Sequence, residues 1–274
     1  MKNCETMKWD MIWNNIISFH IIFLFPLTSI ATVHNPIMES MSPGSITLIG
    51  ESHQRIESTK LIQDLASQFV RQNKCLILAL EIDDRQQPII DKAMAQSASV
   101  SGIDIPKVID HLAMRKMIEH MAMLKMRSSC LKVVAIDTGL DTPHDRDEWM
   151  ASRLAKLAGN APVLALLGSL HTLKKIEWLT KTGKPPIAEI LTNKGLRVKS
   201  FPQRWIPAEC PDNDRRYSRF VSADSPEAVT ILNKSMMSLL NAKPHASAQG
   251  IVDGFILWEC DSLPRDNKPH SETL

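Results

Sequence analysis

Ser45-Ile46-Thr47-Leu48-Ile49-Gly50-Glu51-Ser52-His53 joins a short apolar run, a glycine and two ionisable side chains in immediate succession. The apolar part predicts a β-strand, and an amphipathic helix is predicted to begin at Ser58. In a parallel α/β sheet, ligands bind beside the carboxyl ends of the strands. The stretch therefore places a carboxylate and an imidazole where a site is expected. The alternative is an ordinary strand-to-helix turn with two solvated polar residues, and later strands favour a site because they end in the same style.

Further apolar runs alternate with predicted helices along the chain. Continuous runs at 76–82, 131–136 and 163–167 are typical of strands that are covered on both faces. The remaining predicted elements are helices over 58–71, 85–96, 145–158 and 172–180, a long helix from Asp104, a helix from Ser225, and strands over 196–201 and 252–258. The segment 202–223 is expected to be irregular and to line or cover the site. This order predicts an α/β fold with a mainly parallel central sheet and helices on both faces, in three layers.

Polar side chains stand at the carboxyl ends of four predicted strands. They are Glu51 and His53, Glu81 and Asp83, Asp137, and His171. Such residues add no stability to an apolar strand, so their recurrence indicates a shared site. Two chemistries suit them: binding of a divalent metal that acidifies its water, or direct proton transfer from water to a histidine that a carboxylate orients. Asp83 and Asp137 are also of the type that caps turns, and Asp83 is kept as a candidate substrate-binding residue.

Composition limits the classes of partner. The 274 residues carry a formal net charge of +2 at pH 7, and no run of basic residues is present. Nucleic-acid binding is therefore not expected, and we predict a small-molecule or peptide substrate. We predict a lead-in over 32–44, a single α/β domain over 45–260 and a flexible tail over 261–274. The sequence leaves the oligomeric state open.

The N-terminus resembles a targeting segment. Lys2 and Lys8 precede an apolar run over 16–31, which a histidine and a proline interrupt, and Ser29-Ile30-Ala31 supplies small residues for cleavage. We predict a cleaved export signal over 1–31 and a periplasmic or secreted protein. The alternative is an uncleaved segment that associates with the membrane through residues 16–31, although the run is short for a span.

Four cysteines follow this segment. An even number in an oxidising compartment permits two disulfides. Cys75 and Cys130 each precede an apolar strand directly, so they would stand side by side if those strands are parallel neighbours. Cys210 and Cys260 would then form the second pair. The alternative is four free buried thiols, and none of the cysteines has the spacing of a zinc site.

Several motifs resemble the superfamily that joins erythromycin esterases, ChaN-like haem-binding proteins, and the TraB and Tiki proteins. The resemblance is strongest to ChaN-like members and spans roughly 45–260. The motifs are Gly50-Glu51-Ser52-His53, Leu80-Glu81, Arg146-Asp147-Glu148-Trp149-Met150-Ala151, Gly168-Ser169-Leu170-His171 and Val252-Asp253-Gly254-Phe255.

The resemblance implies a role for each matched residue. Glu51 and His53 would activate water, and Glu81 would be a second carboxylate in the same site at the carboxyl ends of the strands. His171 would stabilise an oxyanion, and Arg146 would hold an anionic group of the substrate. Together these roles predict a hydrolase that acts on an ester, a lactone or a peptide bond.

Members of the superfamily differ in function, so the resemblance also implies alternatives. In a Tiki-like enzyme, Glu51, His53, Glu81 and His171 would bind a divalent metal such as manganese, cobalt or zinc. In a ChaN-like protein of iron uptake, haem would be bound without turnover, with Tyr217 or His53 as its axial ligand. A third possibility is a catalytically silent member that is kept for a protein contact. The chain lacks the lipoprotein cysteine of an outer-membrane ChaN. It is also shorter than an erythromycin esterase, so macrolide substrates are not expected.

Overall fold

A computed structural model describes residues 33–139, 142–180, 183–211 and 215–261. The predicted signal segment, 1–31, and all but the first residue of the predicted tail lie outside these ranges. Within them, no helix is both long enough and apolar enough to cross a bilayer.

A seven-stranded sheet forms the centre of the fold. Its strands are β1 Ser45–Glu51, β2 Leu76–Asp83, β3 Leu131–Asp137, β4 Val163–Gly168, β5 Arg197–Ile206, β6 Arg216–Ser222 and β7 Gly254–Cys260. They lie in the order β3-β2-β4-β1-β5-β7-β6. Every neighbouring pair is parallel except β6 and β7.

Helices cover both faces of this sheet. They are α1 His34–Ser40, α2 Ile56–Arg71, α3 Gln87–Met94, α4 Leu112–Arg127, α5 Arg146–Leu157, α6 Ile187–Asn193 and α7 Pro226–Ile231. Strand β2 shows how the faces divide: Leu78 and Leu80 join the core under α2 and α4, whereas Ile77 and Ala79 join the core under α5 and α6. Because every second side chain of a strand points to the same face, an unbroken apolar run serves both layers. The predicted three-layer α/β fold is confirmed.

The strand order brings the predicted site residues together. Strand β4 lies between β2 and β1, with Gly168 opposite Glu51 and Leu166 opposite Leu80. All three strands are parallel, so their carboxyl ends meet at one edge of the sheet. Glu81, directly after Leu80, therefore comes close to Glu51 although 30 positions separate them in the chain.

Gly50 is required by close packing at this edge. A Cβ on Gly50 would lie 2.8 Å from the Cα of Ser169 and 2.9 Å from the Cα of Pro202. Both neighbours are backbone atoms, one directly after β4 and one in the middle of β5, so neither moves aside as a flexible side chain would.

We expect Gly50→Ala to lower the free energy of unfolding by about 1–3 kcal/mol, since overpacking forces the neighbouring backbones apart. The matched control is Gly159→Ala, because the nearest atom to a Cβ there is the Leu157 carbonyl oxygen at 3.9 Å. Urea unfolding of both variants checks this. Equal stabilities for the two would show that the close approach at Gly50 relaxes at no cost.

Two predicted helices differ from the structure. The long helix begins at Leu112 instead of Asp104, because the His111 side chain accepts the backbone N–H of Met114 and caps it there. The segment 172–180 is not helical beyond a short 3₁₀ turn, Ser169–Thr172. Its backbone N–H groups bond to distant segments instead, as Lys174 does to the Ile251 carbonyl. Such tertiary partners are invisible to helical periodicity.

The segment 202–223, predicted to be irregular, contains the second half of β5 and the whole of β6. Strand β5 pairs with β1 up to Pro202 and with β7 from Gln203 onward. Proline has no N–H to give to a ladder, so it marks the point where β5 changes neighbours. The remainder of the segment includes β6, which closes the sheet antiparallel to β7.

Both predicted disulfides are present. Strands β2 and β3 are parallel neighbours with Leu76 opposite Leu131, and Cys75 and Cys130 immediately precede them with a Cα–Cα distance of 5.0 Å. Cys210 and Cys260 are joined with a Cα–Cα distance of 5.6 Å. Paired cysteines are typical of proteins that fold outside the reducing cytosol.

Candidate active site

A cavity of 250 Å³ lies at the carboxyl edge of the sheet. Its lining consists of Glu51, Ser52, His53, Gly168, Ser169, Leu170, His171, Arg204, Met236 and Leu239. Three of the four predicted catalytic residues thus line one cavity, and the fourth, Glu81, lies behind it. A second concavity of 290 Å³, beside the start of α5, contains none of the polar strand-end residues.

Glu51 and His53 form a hydrogen-bonded pair. Nδ1 of His53 donates to Oε1 of Glu51 over 3.1 Å. The Glu51 side chain is only 3% exposed, whereas the His53 side chain is 42% exposed. Oε2 of Glu51 is buried and has no hydrogen-bond partner among the described residues. His53 is therefore the principal compensation for a buried negative charge, which is the arrangement that stabilises an imidazolium ion.

His171 belongs to a second imidazole–carboxylate pair. Its Nδ1 donates to Asp147, with distances of 2.8 Å to Oδ1 and 3.0 Å to Oδ2. Its Nε2 lies 4.0 Å from Oε1 of Glu81. In both pairs the carboxylate fixes Nδ1 as the protonated nitrogen, which leaves Nε2 for chemistry.

The two imidazoles converge over Gly168. A Cβ at this glycine would lie 3.4 Å from Cδ2 of His171. It would also lie 3.5 Å from Cε1 of His53 and 3.7 Å from Nε2 of the same ring. Because glycine has no Cβ, the space between the rings stays open. The Gly168 N–H donates to Oε2 of Glu81 over 2.9 Å, and the Ser169 hydroxyl donates to the Glu51 carbonyl over 3.0 Å. These bonds hold the ends of β1, β2 and β4 in register around that space.

Arg146 fixes the buried acids behind the cavity. Its guanidinium donates to both carboxylate oxygens of Asp137, at 2.6–3.0 Å, and to Oε1 of Glu81 over 2.6 Å. Asp137 also accepts the N–H of Thr138. Since Arg146 and Asp147 are consecutive at the start of α5, one helix N-terminus orients both Glu81 and His171. The role of Arg146 in holding a substrate anion stays a prediction, and in this structure its donors are directed at protein acids.

Asp83, the other candidate for substrate binding, caps a turn. Its carboxylate accepts the backbone N–H of Arg85 at the start of the 3₁₀ turn Asp84–Gln86 and also pairs with the Arg85 guanidinium. It is not among the residues that line the cavity.

The pKa values of both histidines are raised. For His53 the hydrogen bond to Glu51 is the main cause of the higher pKa, burial opposes it, and the negative charges of Glu51 and Glu81 reinforce it. For His171 burial is the largest influence and lowers the pKa, but the hydrogen bond and charge of Asp147 and the charge of Glu81 together outweigh it. Each ring thus holds its proton to a higher pH than a free histidine does.

The four proposed metal ligands are not disposed as a coordination set. Across the described ranges, no three or more His, Cys, Asp or Glu side chains are grouped to hold a metal ion. Glu51 faces His53, and Glu81 bonds to Arg146 and Gly168. The carboxylate oxygens nearest the rings are already used as acceptors within the protein.

The two proposed haem ligands lie on different elements. His53 lines the cavity, whereas Tyr217 lies on β6 opposite Glu259 and is not one of the lining residues. Tyr217 and His53 therefore do not share one pocket, and of the two it is His53 that lines this cavity.

Sequence reasoning missed three residues of the site. Asp147 orients His171, Arg204 lines the cavity, and the Ser169 hydroxyl ties β4 to β1. Asp147 and Ser169 belong to motifs that resemble the superfamily, so the sequence did mark their positions. Arg204 falls within the segment predicted to be irregular, where its strand was not identified.

Comparison with known proteins shows likeness in fold. No protein-family model matches the sequence, and no curated protein is similar to it in sequence. An erythromycin esterase, a mutant of EreC in its open conformation, superposes with a TM-score of 0.51 at 10% identity, covering 81% of this chain and 91% of that chain. ChaN of Campylobacter jejuni, with cofacially bound haem, gives 0.47 at 15% identity over 82% and 91% of the two chains. The type III effector HopBA1 gives 0.36 at 11% identity over 63% and 80%. The likeness to the esterase is one of fold and agrees with the α/β architecture predicted from the order of strands and helices.

Proposed function

We propose that this protein is a hydrolase that activates water with His53 and Glu51 and acts on an ester, a lactone or a peptide bond. The observation that carries the proposal is the pairing of a partly exposed imidazole with a buried carboxylate, beside a second imidazole over an open glycine. A general base needs a neutral nitrogen that faces the substrate and a group that stabilises the cation once the proton arrives. Nε2 of His53 lies beside the open space over Gly168, and Glu51 stabilises the imidazolium once the proton arrives.

The remaining residues complete an acyl-transfer mechanism. Nε2 of His53 takes a proton from water while the water oxygen bonds to the carbonyl carbon, and the C=O π electrons move to the carbonyl oxygen. In its protonated form, which Asp147 favours by raising the pKa of the ring, His171 donates to that oxyanion from Nε2. As the intermediate collapses, the bond to the leaving group breaks and His53 returns its proton to that group. The products are an acid and an alcohol or amine.

The two disulfides support a place of action outside the reducing cytosol. We propose that the chain is exported by its N-terminal segment.

The test begins with the full chain and three substrate classes: 4-nitrophenyl esters, fluorogenic lactones and quenched peptides. We expect turnover of at least one class, and Glu51→Gln should reduce it. Titration with haem and metal analysis of the same preparation measure the alternatives. No turnover of any class, together with a Soret band that depends on His53, would replace the hydrolase with a haem-binding protein.

The pH dependence of Glu51→Gln tests the role of the pair. Activity requires neutral His53, so in the wild type kcat/KM should rise with pH through the raised pKa of His53. Glu51 is the main cause of that rise in pKa. Its replacement should therefore lower the pKa and move the acid limb of the profile to lower pH.

Asp147→Asn is the matched control for this profile, because it leaves the bond between Glu51 and His53 in place. Its acid limb should stay at the wild-type pH, while its alkaline limb should move to lower pH as the pKa of His171 falls. An acid limb that moves in Asp147→Asn and stays in Glu51→Gln would make His171 the base.

A further inference from the structure

One arginine in the cavity has no hydrogen-bond or ion-pair partner among the described residues. Arg204, near the end of β5, is the only Lys or Arg among the lining residues. Over the described part of the chain, its guanidinium makes no hydrogen bond or ion pair. By contrast, Arg146 and Arg219 each donate hydrogen bonds to two carboxylates.

The lack of a partner matters because the Arg204 side chain is partly buried. Burial lowers the pKa of Arg204, and no acid raises it again, whereas carboxylates hold the pKa of Arg219 above its ordinary value. Arg204 is half-buried, so its guanidinium loses part of its hydration and gains no anion among the described residues in return. Its planar fork of donors matches a carboxylate or a phosphate. A bound anion would therefore give the Arg204 guanidinium the acceptor that the described residues do not provide.

The acids near the cavity do not compete for Arg204. Glu51 is held by His53, and Asp147 by His171. Glu81 is bonded to Arg146 and lies behind the lining residues. Each of these acids thus has a hydrogen-bond partner among the described residues, whereas Arg204 has none and is left to meet a ligand anion.

The wall contributed by the chain after α7 is apolar. Helix α7 continues into a π-helical turn, Leu232–Met237, which supplies Met236, and Leu239 follows it. Leu239 is 69% exposed, although it is a large apolar residue. π-helical turns are frequent at functional sites, and an exposed leucine beside a cavity suits the apolar part of a ligand.

We propose that the substrate is an anionic amphiphile, whose carboxylate or phosphate binds Arg204 and whose hydrocarbon part packs on the exposed Leu239. This assignment rests on the proposed function, because it places the scissile carbonyl between His53 and His171. Arg204 is then the residue that determines specificity for charge.

The first experiment compares two esters that differ in charge. Mono-4-nitrophenyl suberate has a free carboxylate, and 4-nitrophenyl octanoate has a methyl group in its place. The ratio of kcat/KM for the anionic ester to that for the neutral ester should fall about ten- to a hundredfold in Arg204→Gln, the range expected for loss of a charged hydrogen bond. The control is Arg197→Gln, at the opposite end of the same strand, where the arginine bonds to the Pro43 carbonyl.

The second experiment measures binding without turnover. Calorimetry with octanoate, octyl phosphate and octanol should show Arg204-dependent binding of at least one anion and weaker binding of the alcohol. The tighter anion identifies the headgroup. If neither anion binds, or if Arg204→Gln binds both as the wild type does, the anion site is wrong.

The two failures are distinguishable. Arg204-dependent binding of an anion without hydrolysis of any ester would retain the anion site and overturn the hydrolase. Hydrolysis of both esters at a ratio that Arg204→Gln leaves unchanged would retain the hydrolase and overturn the anion site.

Discussion

Arg146→Ala is expected to lower the free energy of unfolding by about 3–5 kcal/mol, the range for breaking a buried ion pair from one side. The Asp137 and Glu81 side chains are only 2% and 6% exposed, and Arg146 donates to both. Removing the guanidinium leaves two buried carboxylates with only backbone N–H donors. Urea unfolding at neutral pH measures the effect.

Arg153→Ala is the matched control on the same helix. Its guanidinium lies 3.8 Å from Asp84, and its side chain is 34% exposed. A surface pair of this kind contributes about 0–1 kcal/mol. Adding Asp137→Asn to Arg146→Ala should recover part of the lost stability, because one unpaired charge is removed. Similar losses for Arg146→Ala and Arg153→Ala would show that the buried acids are solvated when Arg146 is absent.

His53→Ala is expected to reduce kcat/KM by about 10²- to 10⁴-fold, the usual contribution of a positioned general base. Loss of the ring also leaves the buried Glu51 carboxylate without its partner, so the melting temperature should fall as well. Steady-state kinetics and thermal unfolding of the same preparation separate the two effects.

The control is His120→Ala. His120 lies on α4 and bonds to the Ser67 hydroxyl, outside the cavity, so its removal should leave kcat/KM unchanged. Metal analysis adds a discriminating result. If the wild type contains a stoichiometric divalent metal that His53→Ala lacks, His53 acts as a ligand and the direct proton transfer proposed here is wrong.

The hydrophobic pattern of the sequence predicted most strands correctly, but it failed for several segments between them. An apolar run such as 76–82 has the same meaning in any sheet that is covered on both faces, so β2 followed from the sequence. The segment 172–180 has helical periodicity, but the structure bonds its N–H groups to distant carbonyls. β5 extends through Pro202 to Ile206 because its second half has a different neighbour, β7. In each failure a contact distant in sequence overrode a local preference.

The sequence by itself determined the α/β class, the polar strand ends and the pairing of cysteines before adjacent strands, because each depends on side-chain period and on residues next to a strand. Only the tertiary structure decided that β4 lies between β1 and β2, which brings two imidazoles over Gly168. It also decided that Arg146 is matched by two acids while Arg204 is matched by none of the described residues. The physical reason is that charge compensation depends on distances between residues that are remote in the chain, and strand order sets those distances.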